Sequence, residues 1–161
     1  MPVGLLKDIA AICPKEASLL GLDVGKKTIG LALAHAGMGI ATPLHTLSRT
    51  KFTKDVEALK KLIAEYDIGG FVVGIPVNMD GSEGPRAQSI RDFSIEFHKA
   101  LGNDPWIALW DERLSTVSVE DFVGEFVEKK STRRNAKASG LIDRLAAQII
   151  LQGALDYLAR V

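Results

Sequence analysis

Cysteine is almost absent from this chain of 161 residues, which contains a single one, Cys13. One thiol cannot form an internal disulfide, so the composition fits a reducing compartment. A nucleophilic cysteine would also need a base to activate it, and no such residue lies near Cys13 in the sequence. We therefore expect Cys13 to have a structural role.

The chain also lacks net charge and long apolar runs. It has 20 lysines and arginines against 20 aspartates and glutamates, a balance that counts against tight non-specific binding to nucleic acid. There is no run of ~18 apolar residues that would predict a membrane span. The first residues lack the basic and apolar regions of a signal peptide. We expect a protein of the cytoplasm.

The hydrophobic pattern predicts one α/β domain at residues 19–161, after an N-terminal extension at 1–18. Strands are predicted as a pair within 19–33 and then at 40–47, 71–75 and 106–110, and helices at about 53–66, 85–101, 116–127 and 141–159. In the last helix, the residues predicted to face inward are Leu145, Ala146, Ile149, Gly153 and Leu155. Short turns make the first three strands antiparallel, and helical crossovers make the last two parallel. We expect a mixed five-stranded sheet flanked by helices.

Asp23 places a charge in an otherwise apolar first strand. Alternation with a period of two puts Leu20 and Leu22 on one face of this strand and Asp23 on the other. A charge in that setting costs several kcal/mol unless it is paired, hydrogen-bonded or bound to a cation. The alternative is an aspartate that only initiates the turn at Gly25.

Two further carboxylates stand at comparable positions, since Glu112 follows the last predicted strand and Asp143 opens the last predicted helix. Sites in open α/β sheets form beyond the carboxyl ends of strands, so both can meet Asp23 at one edge. Oxygen ligands without histidine or cysteine suit Mg²⁺ or Mn²⁺, and two such ions support phosphodiester cleavage. Taken singly, Glu112 also fits a solvated residue, and Asp143 fits a charge that complements the helix dipole.

Basic residues accompany these carboxylates in the sequence. Lys26 and Lys27 lie in the first predicted turn, and a predicted loop, KKSTRRNAK at 129–137, contributes Arg133 and Arg134. Beside an acidic metal site these cations would attract a polyanionic substrate, whereas alone they fit a solvated surface.

Four blocks of the sequence together resemble one known family. They are LGLDVGKKTIGLAL (20–33), VVGIPVNMDGSEGPRA (72–87), WDERLST (110–116) and IDRLAAQIILQ (142–152). The family is YqgF, also called RuvX, a family of ribonuclease-H-like nucleases, and the likeness covers about residues 18–158. The first block alone is also similar to the phosphate loops of actin-like ATPases and sugar kinases.

The resemblance implies a ribonuclease-H-like fold and a divalent-metal nuclease that acts in the 5′-end maturation of precursor 16S ribosomal RNA. It implies that Asp23, Glu112 and Asp143 are the catalytic, metal-binding residues. Asn78 and Arg86 match its most distinctive block, and we expect them to contact the substrate backbone.

Other functions stay open from sequence. One is the resolution of Holliday junctions in branched DNA, by a monomer or a homodimer. Another is a catalytically weak module that binds nucleic acid. An ATP-binding kinase-type domain would need a second lobe and a second phosphate loop, which 161 residues do not supply.

Overall fold

The computed structural model of the protein describes residues 3–114 and 140–161. Its strands are β1 (Val3–Leu5), β2 (Ser18–Val24), β3 (Thr28–Ala34), β4 (Thr42–Ser48), β5 (Ile68–Ile75) and β6 (Trp106–Asp111). Its described α-helices are α1 (Leu6–Ile9), α2 (Phe52–Tyr66), α3 (Pro85–Leu101) and α4 (Leu141–Arg160). Short 3₁₀ turns cover Ala10–Ile12 and Glu112–Leu114. The strands form one sheet in the order β1-β6-β5-β2-β3-β4.

The pairing of the strands confirms the predicted mixed sheet. β2 pairs antiparallel with β3 and β3 pairs antiparallel with β4, whereas β5 lies parallel to both β2 and β6. Helix α2 precedes β5, and α3 connects β5 to β6. The carboxyl ends of β2, β5 and β6 therefore meet at the same edge of the sheet, where sites of such folds form.

Within the described residues the sheet has six strands, whereas the sequence predicts five. The additional strand, β1, pairs parallel with β6, from Val3 opposite Ile107 to Leu5 opposite Leu109. A strand of three residues is too short to show alternation, so the hydrophobic pattern does not reveal it. The N-terminal segment thus extends the sheet at its edge.

Helices cover both faces of the sheet. On one face, α2 and α3 enclose a core that includes Leu22 and Phe97. On the other face, α4 packs against the sheet through residues such as Leu151. Trp106 and Trp110 are 4% and 3% exposed, so both tryptophans belong to the core.

Two predicted segments, the helix at 116–127 and the basic loop at 129–137, lie outside the described residues. In the described ranges, no helix combines the length and the apolar character needed to cross a membrane.

Glycines in the sheet allow α4 to lie directly on it. A Cβ atom added to Gly21 of β2 would lie 2.7 Å from the Cβ of Leu151. A Cβ atom on Gly30 of β3 would collide with the backbone carbonyl of Asp143. The small residues therefore bring the first turn of α4, with its carboxylate, onto the end of β2.

Candidate active site

Asp23 is the second-last residue of β2 and lies on the face that α4 covers. It is paired across the sheet with Gly30, while its neighbours Leu22 and Val24 belong to the opposite core. Burial disfavours the ionised carboxylate and, together with the nearby charge of Asp143, raises the pKa of Asp23 to about 6, against an opposing effect of Arg86. In the absence of a bound cation, the ionised form of the Asp23 carboxylate is therefore destabilised.

Two threonines hold the start of α4, which carries Asp143, against the sheet. It lies in the first turn of α4, and its Oδ2 accepts a hydrogen bond of 3.1 Å from the Thr28 hydroxyl at the start of β3. Gly140, just before the helix, has a φ of 77°, a conformation that favours glycine. Its carbonyl accepts a 2.7 Å hydrogen bond from the Thr46 hydroxyl on β4. These contacts fix where α4 begins and therefore where the Asp143 carboxylate lies.

Glu112 approaches from the far side of β5. It follows β6 in the 3₁₀ turn, and its Oε1 lies 2.8 Å from the position that a Cβ atom on Gly74 would occupy. Desolvation, and then the charge of Asp23, raise the pKa of Glu112 to about 7, again against an opposing effect of Arg86. The residue as a whole keeps solvent-exposed surface, so screening by water moderates these charges.

The structure therefore brings the three carboxylates singled out in the sequence to one edge of the sheet, where Asp23 is close enough to interact electrostatically with both Asp143 and Glu112. The charge of Asp143 raises the pKa of Asp23, and the charge of Asp23 raises that of Glu112. Like charges grouped in this way are relieved either by protonation or by a cation.

The donor set fits a hard divalent cation. Carboxylate oxygens without imidazole or thiolate are the ligands that Mg²⁺ and Mn²⁺ prefer. Across residues 3–114 and 140–161, however, no three acidic, histidine or cysteine side chains already stand close enough together to chelate an ion. Because ionised carboxylates repel each other, a bound cation would allow them to approach more closely.

Arg86 and Asn78, both expected to contact substrate, lie in different surroundings. Arg86, at the start of α3, donates a 2.6 Å hydrogen bond from Nη2 to the Val24 carbonyl, directly beside Asp23. Asn78 donates a 3.1 Å hydrogen bond from Nδ2 to the Ser82 hydroxyl within the loop between β5 and α3. The Asn78 amide therefore shapes its own loop, whereas the Arg86 cation belongs to the carboxylate group.

Of the four other residues predicted to contact the substrate, two lie within the described residues and two lie outside them. Lys26 and Lys27 are exposed in the turn between β2 and β3. Arg133 and Arg134 lie outside the described residues.

Two site residues are not predicted from the sequence. Thr28 binds Asp143 across 115 positions of the chain. Arg49 follows β4 and donates a 2.6 Å hydrogen bond from Nη1 to the carbonyl of Gly25, in the turn after Asp23. No local pattern marks either residue, because each contact depends on how distant strands and helices come together.

Solved structures define the class of this fold. The chain is similar to T. thermophilus RuvC in complex with a Holliday junction substrate, with a TM-score of 0.53 and 11% identity over 89% of this chain and 96% of that one. It is also similar to the yeast mitochondrial Holliday junction resolvase Ydc2, with a TM-score of 0.51 and 13% identity over 96% of this chain and 85% of that one. The fold is that of the ribonuclease-H-like resolvases.

Sequence comparison gives the family. A family model described as "RuvX: Holliday junction resolvase" matches residues 17–157. A protein of Rhodobacter capsulatus is 51% identical over 97% of this chain and 94% of its own length. One of Rhodospirillum centenum is 44% identical over 98% of this chain and 83% of its own length. Both carry names that propose a pre-16S rRNA nuclease. The chain belongs to the RuvX family, which confirms the resemblance seen in its four blocks.

Proposed function

We propose that the protein is a divalent-metal-dependent nuclease that hydrolyses phosphodiester bonds in the 5′-end maturation of precursor 16S rRNA in the cytoplasm. The observation that carries this proposal is Asp23, a half-buried carboxylate at the end of a central strand, whose charge acts on Glu112 and is acted on by Asp143. The names of the relatives in R. capsulatus and R. centenum support the choice of RNA substrate.

In this proposal Asp23, Glu112 and Asp143 are the catalytic residues and hold Mg²⁺ or Mn²⁺, with two ions as the expected number. A bound metal supplies positive charge at the phosphate and lowers the pKa of a water molecule. The protein holds the carboxylates in place, since Thr28 and the absence of a side chain at Gly30 position Asp143. Arg86 adds a positive charge beside Asp23 and Glu112.

Basic and polar residues around the carboxylates are proposed to bind the substrate backbone. Phosphate contacts of this kind position a nucleic acid without reading its sequence. The proposed set consists of Lys26, Lys27, Asn78, Arg86, Arg133 and Arg134.

Resolution of Holliday junctions is the second candidate function. The description of the matching family names this activity. A third candidate, a catalytically weak module that binds nucleic acid, retains the fold but needs no metal chemistry. The three candidates differ in which substrate is cut and in whether cutting requires a metal.

The deciding experiment compares cleavage of a precursor 16S rRNA 5′ leader with cleavage of a four-way DNA junction. Each reaction contains Mg²⁺, Mn²⁺ or EDTA, and the wild type is compared with Glu112→Gln and Asp143→Asn. We expect metal-dependent cutting of the RNA that both substitutions abolish, because each removes a charged ligand. Asp8→Asn is the matched control, since Asp8 is an exposed carboxylate of α1.

The remaining outcomes separate the candidates. Cutting of the junction alone would contradict the RNA substrate and support a resolvase. Binding of RNA with no cutting in either metal would support the catalytically weak module. Cutting that persists in EDTA would contradict metal dependence.

A substitution at Thr28 tests how Asp143 is positioned. Thr28→Val removes the hydroxyl that donates to Asp143, and we expect a stability loss of about 1 kcal/mol. An equal loss in the stabilisation of the transition state would decrease the single-turnover cleavage rate roughly fivefold. Thr28→Ser keeps the hydroxyl and should restore the rate. Equal rates for the valine and serine variants would show that other contacts position Asp143.

A further inference from the structure

Arg49 is held in a defined place on the turn that follows Asp23. Its Nη1 donates a 2.6 Å hydrogen bond to the carbonyl of Gly25, and its backbone N–H donates a 2.8 Å hydrogen bond to the carbonyl of Lys27. Its guanidinium carbon lies 5.6 Å from the ring centroid of Phe93, a buried residue of α3. A cation stacked on an aromatic face and anchored at one nitrogen has lost most of its freedom before any ligand binds.

Arg86 is anchored in the same way on the preceding carbonyl. Its Nη2 donates to Val24 at 2.6 Å, so two guanidinium groups bind the consecutive carbonyls of Val24 and Gly25. Within residues 3–114 and 140–161, neither arginine forms an ion pair within 4.0 Å with a carboxylate. A guanidinium carries five N–H donors, so each group has donors beyond the one that its carbonyl accepts.

Two cations held on the carbonyls of consecutive residues repel each other, and an anion that binds both of them would relieve that repulsion. Other arginines of the protein are already paired: Arg91 with Glu83 and Arg113 with Asp111. The pair on the turn is different, because both arginines are anchored on neutral carbonyls. Arg86 also acts on the Asp23 and Glu112 carboxylates from beyond ion-pair distance, whereas no described carboxylate lies within 4.0 Å of Arg49. Planar guanidinium groups match the geometry of phosphate oxygens, which makes phosphate the expected anion.

The geometry points to Arg49 and Arg86 as a two-arginine phosphate clamp, which binds a backbone phosphate of the nucleic acid next to the bond that is cut. This inference rests on the proposed nuclease function and adds Arg49 to its binding residues. The clamp lies on the turn directly after Asp23, so a phosphate held there places the neighbouring phosphodiester beside the carboxylates. Its contacts are to the backbone and carry no sequence preference.

The test measures binding to a precursor 16S rRNA 5′ leader in EDTA, without cleavage, over a series of salt concentrations. Log affinity falls as log salt rises, and each lost phosphate contact makes this dependence shallower, by about 0.7 in the magnitude of the slope for single-stranded nucleic acid. We expect Arg49→Gln to reduce the magnitude of this slope by about that amount. The substitution should also weaken binding by roughly fivefold to twentyfold at low salt. Arg49→Lys keeps the charge and should keep the slope.

Controls separate the clamp from a purely structural brace of the turn. The glutamine side chain is shorter than that of arginine and does not reach the Gly25 carbonyl from the same backbone position, so Arg49→Gln removes the anchor as well as the charge. The comparison with Arg49→Lys, which keeps the charge, therefore isolates the electrostatic effect. Lys99→Ala removes a cation at the far end of α3 that pairs with Glu96, and its slope should equal that of the wild type. Thermal unfolding of each variant shows whether the turn has been disrupted.

The outcomes also separate this inference from the proposed function. An unchanged slope for Arg49→Gln, with RNA binding by the wild type, overturns the clamp alone. Wild-type protein that fails to bind the RNA contradicts the proposed RNA substrate and the clamp with it. If Arg49→Lys and Arg49→Gln reduced the magnitude of the salt slope equally, Arg49 would have a structural role and not a role in phosphate binding.

Discussion

Replacing Gly30 by alanine should abolish cleavage, because the new methyl group would displace Asp143. A Cβ atom at this position would collide with the backbone carbonyl of Asp143 and lie 3.0 Å from its Cβ. The obstacle is the main chain of α4, which cannot rotate away as a side chain can. The first turn of α4 must therefore lift from β3, and this movement would also stretch the hydrogen bond between Thr28 and Asp143.

The expected cost of this overpacking is about 1–3 kcal/mol in the free energy of unfolding. The loss of cleavage should be larger than the loss of stability suggests, since a misplacement of about 1 Å can cost a hundredfold in rate. Single-turnover cleavage at a temperature where the variant is fully folded measures the first effect, and thermal unfolding measures the second.

Gly4→Ala is the matched control for this substitution. Gly4 lies in β1 at the edge of the sheet, and a Cβ atom there would lie 3.4 Å from Ile9 Cγ2, the end of a side chain that can adjust. We expect nearly wild-type cleavage from Gly4→Ala. Cleavage by Gly30→Ala as fast as by this control would contradict the claim that close packing at Gly30 positions Asp143 for the reaction.

The sequence predicts the part of the fold and site that depends on local pattern. Alternation along β2 is sufficient to predict the strand and the face on which Asp23 lies, because Leu20 and Leu22 occupy the opposite core. The rule that sites form at the carboxyl ends of parallel strands then predicts that Glu112 and Asp143 approach this edge.

Contacts between distant segments could not be predicted in this way. Thr28 and Arg49 act through partners that only the assembled sheet brings near, and β1 is too short to show a pattern.

In α4 the sequence places Ile149 on the inward face, but the structure leaves it partly exposed and buries Ile150 and Leu151. This helix is apolar around most of its circumference, so periodicity does not identify the face that meets the sheet.

The second large effect is expected at Asp23 and concerns stability as well as activity. The Asp23 pKa of about 6 in the folded protein lies above its ordinary value of 3.8. The folded protein therefore binds this proton more tightly than the unfolded chain does. The free energy of unfolding should fall as the pH rises from about 4 to about 6, and the loss should persist at higher pH.

Asp23→Asn removes this penalty and should stabilise the metal-free protein at pH 8. A pKa difference of roughly two corresponds to about 3 kcal/mol, and each kcal/mol raises the melting temperature of a domain of this size by roughly 2–4 °C. At pH 4, where the penalty is small in the wild type, the two proteins should differ little. Thermal unfolding in EDTA across this pH range measures the effect, with Asp8→Asn as the control that keeps the wild-type profile.

Mg²⁺ or Mn²⁺ should reverse the order of stability. A metal that binds only the folded wild type stabilises it by mass action, whereas Asp23→Asn has lost a charged ligand and should gain little. The same substitution should abolish cleavage. Asp23→Asn should therefore make the metal-free protein more stable and the metal-bound protein inactive. An Asp23→Asn protein less stable than the wild type at pH 8 in EDTA would contradict this account, because it would show that the carboxylate supports the fold by itself.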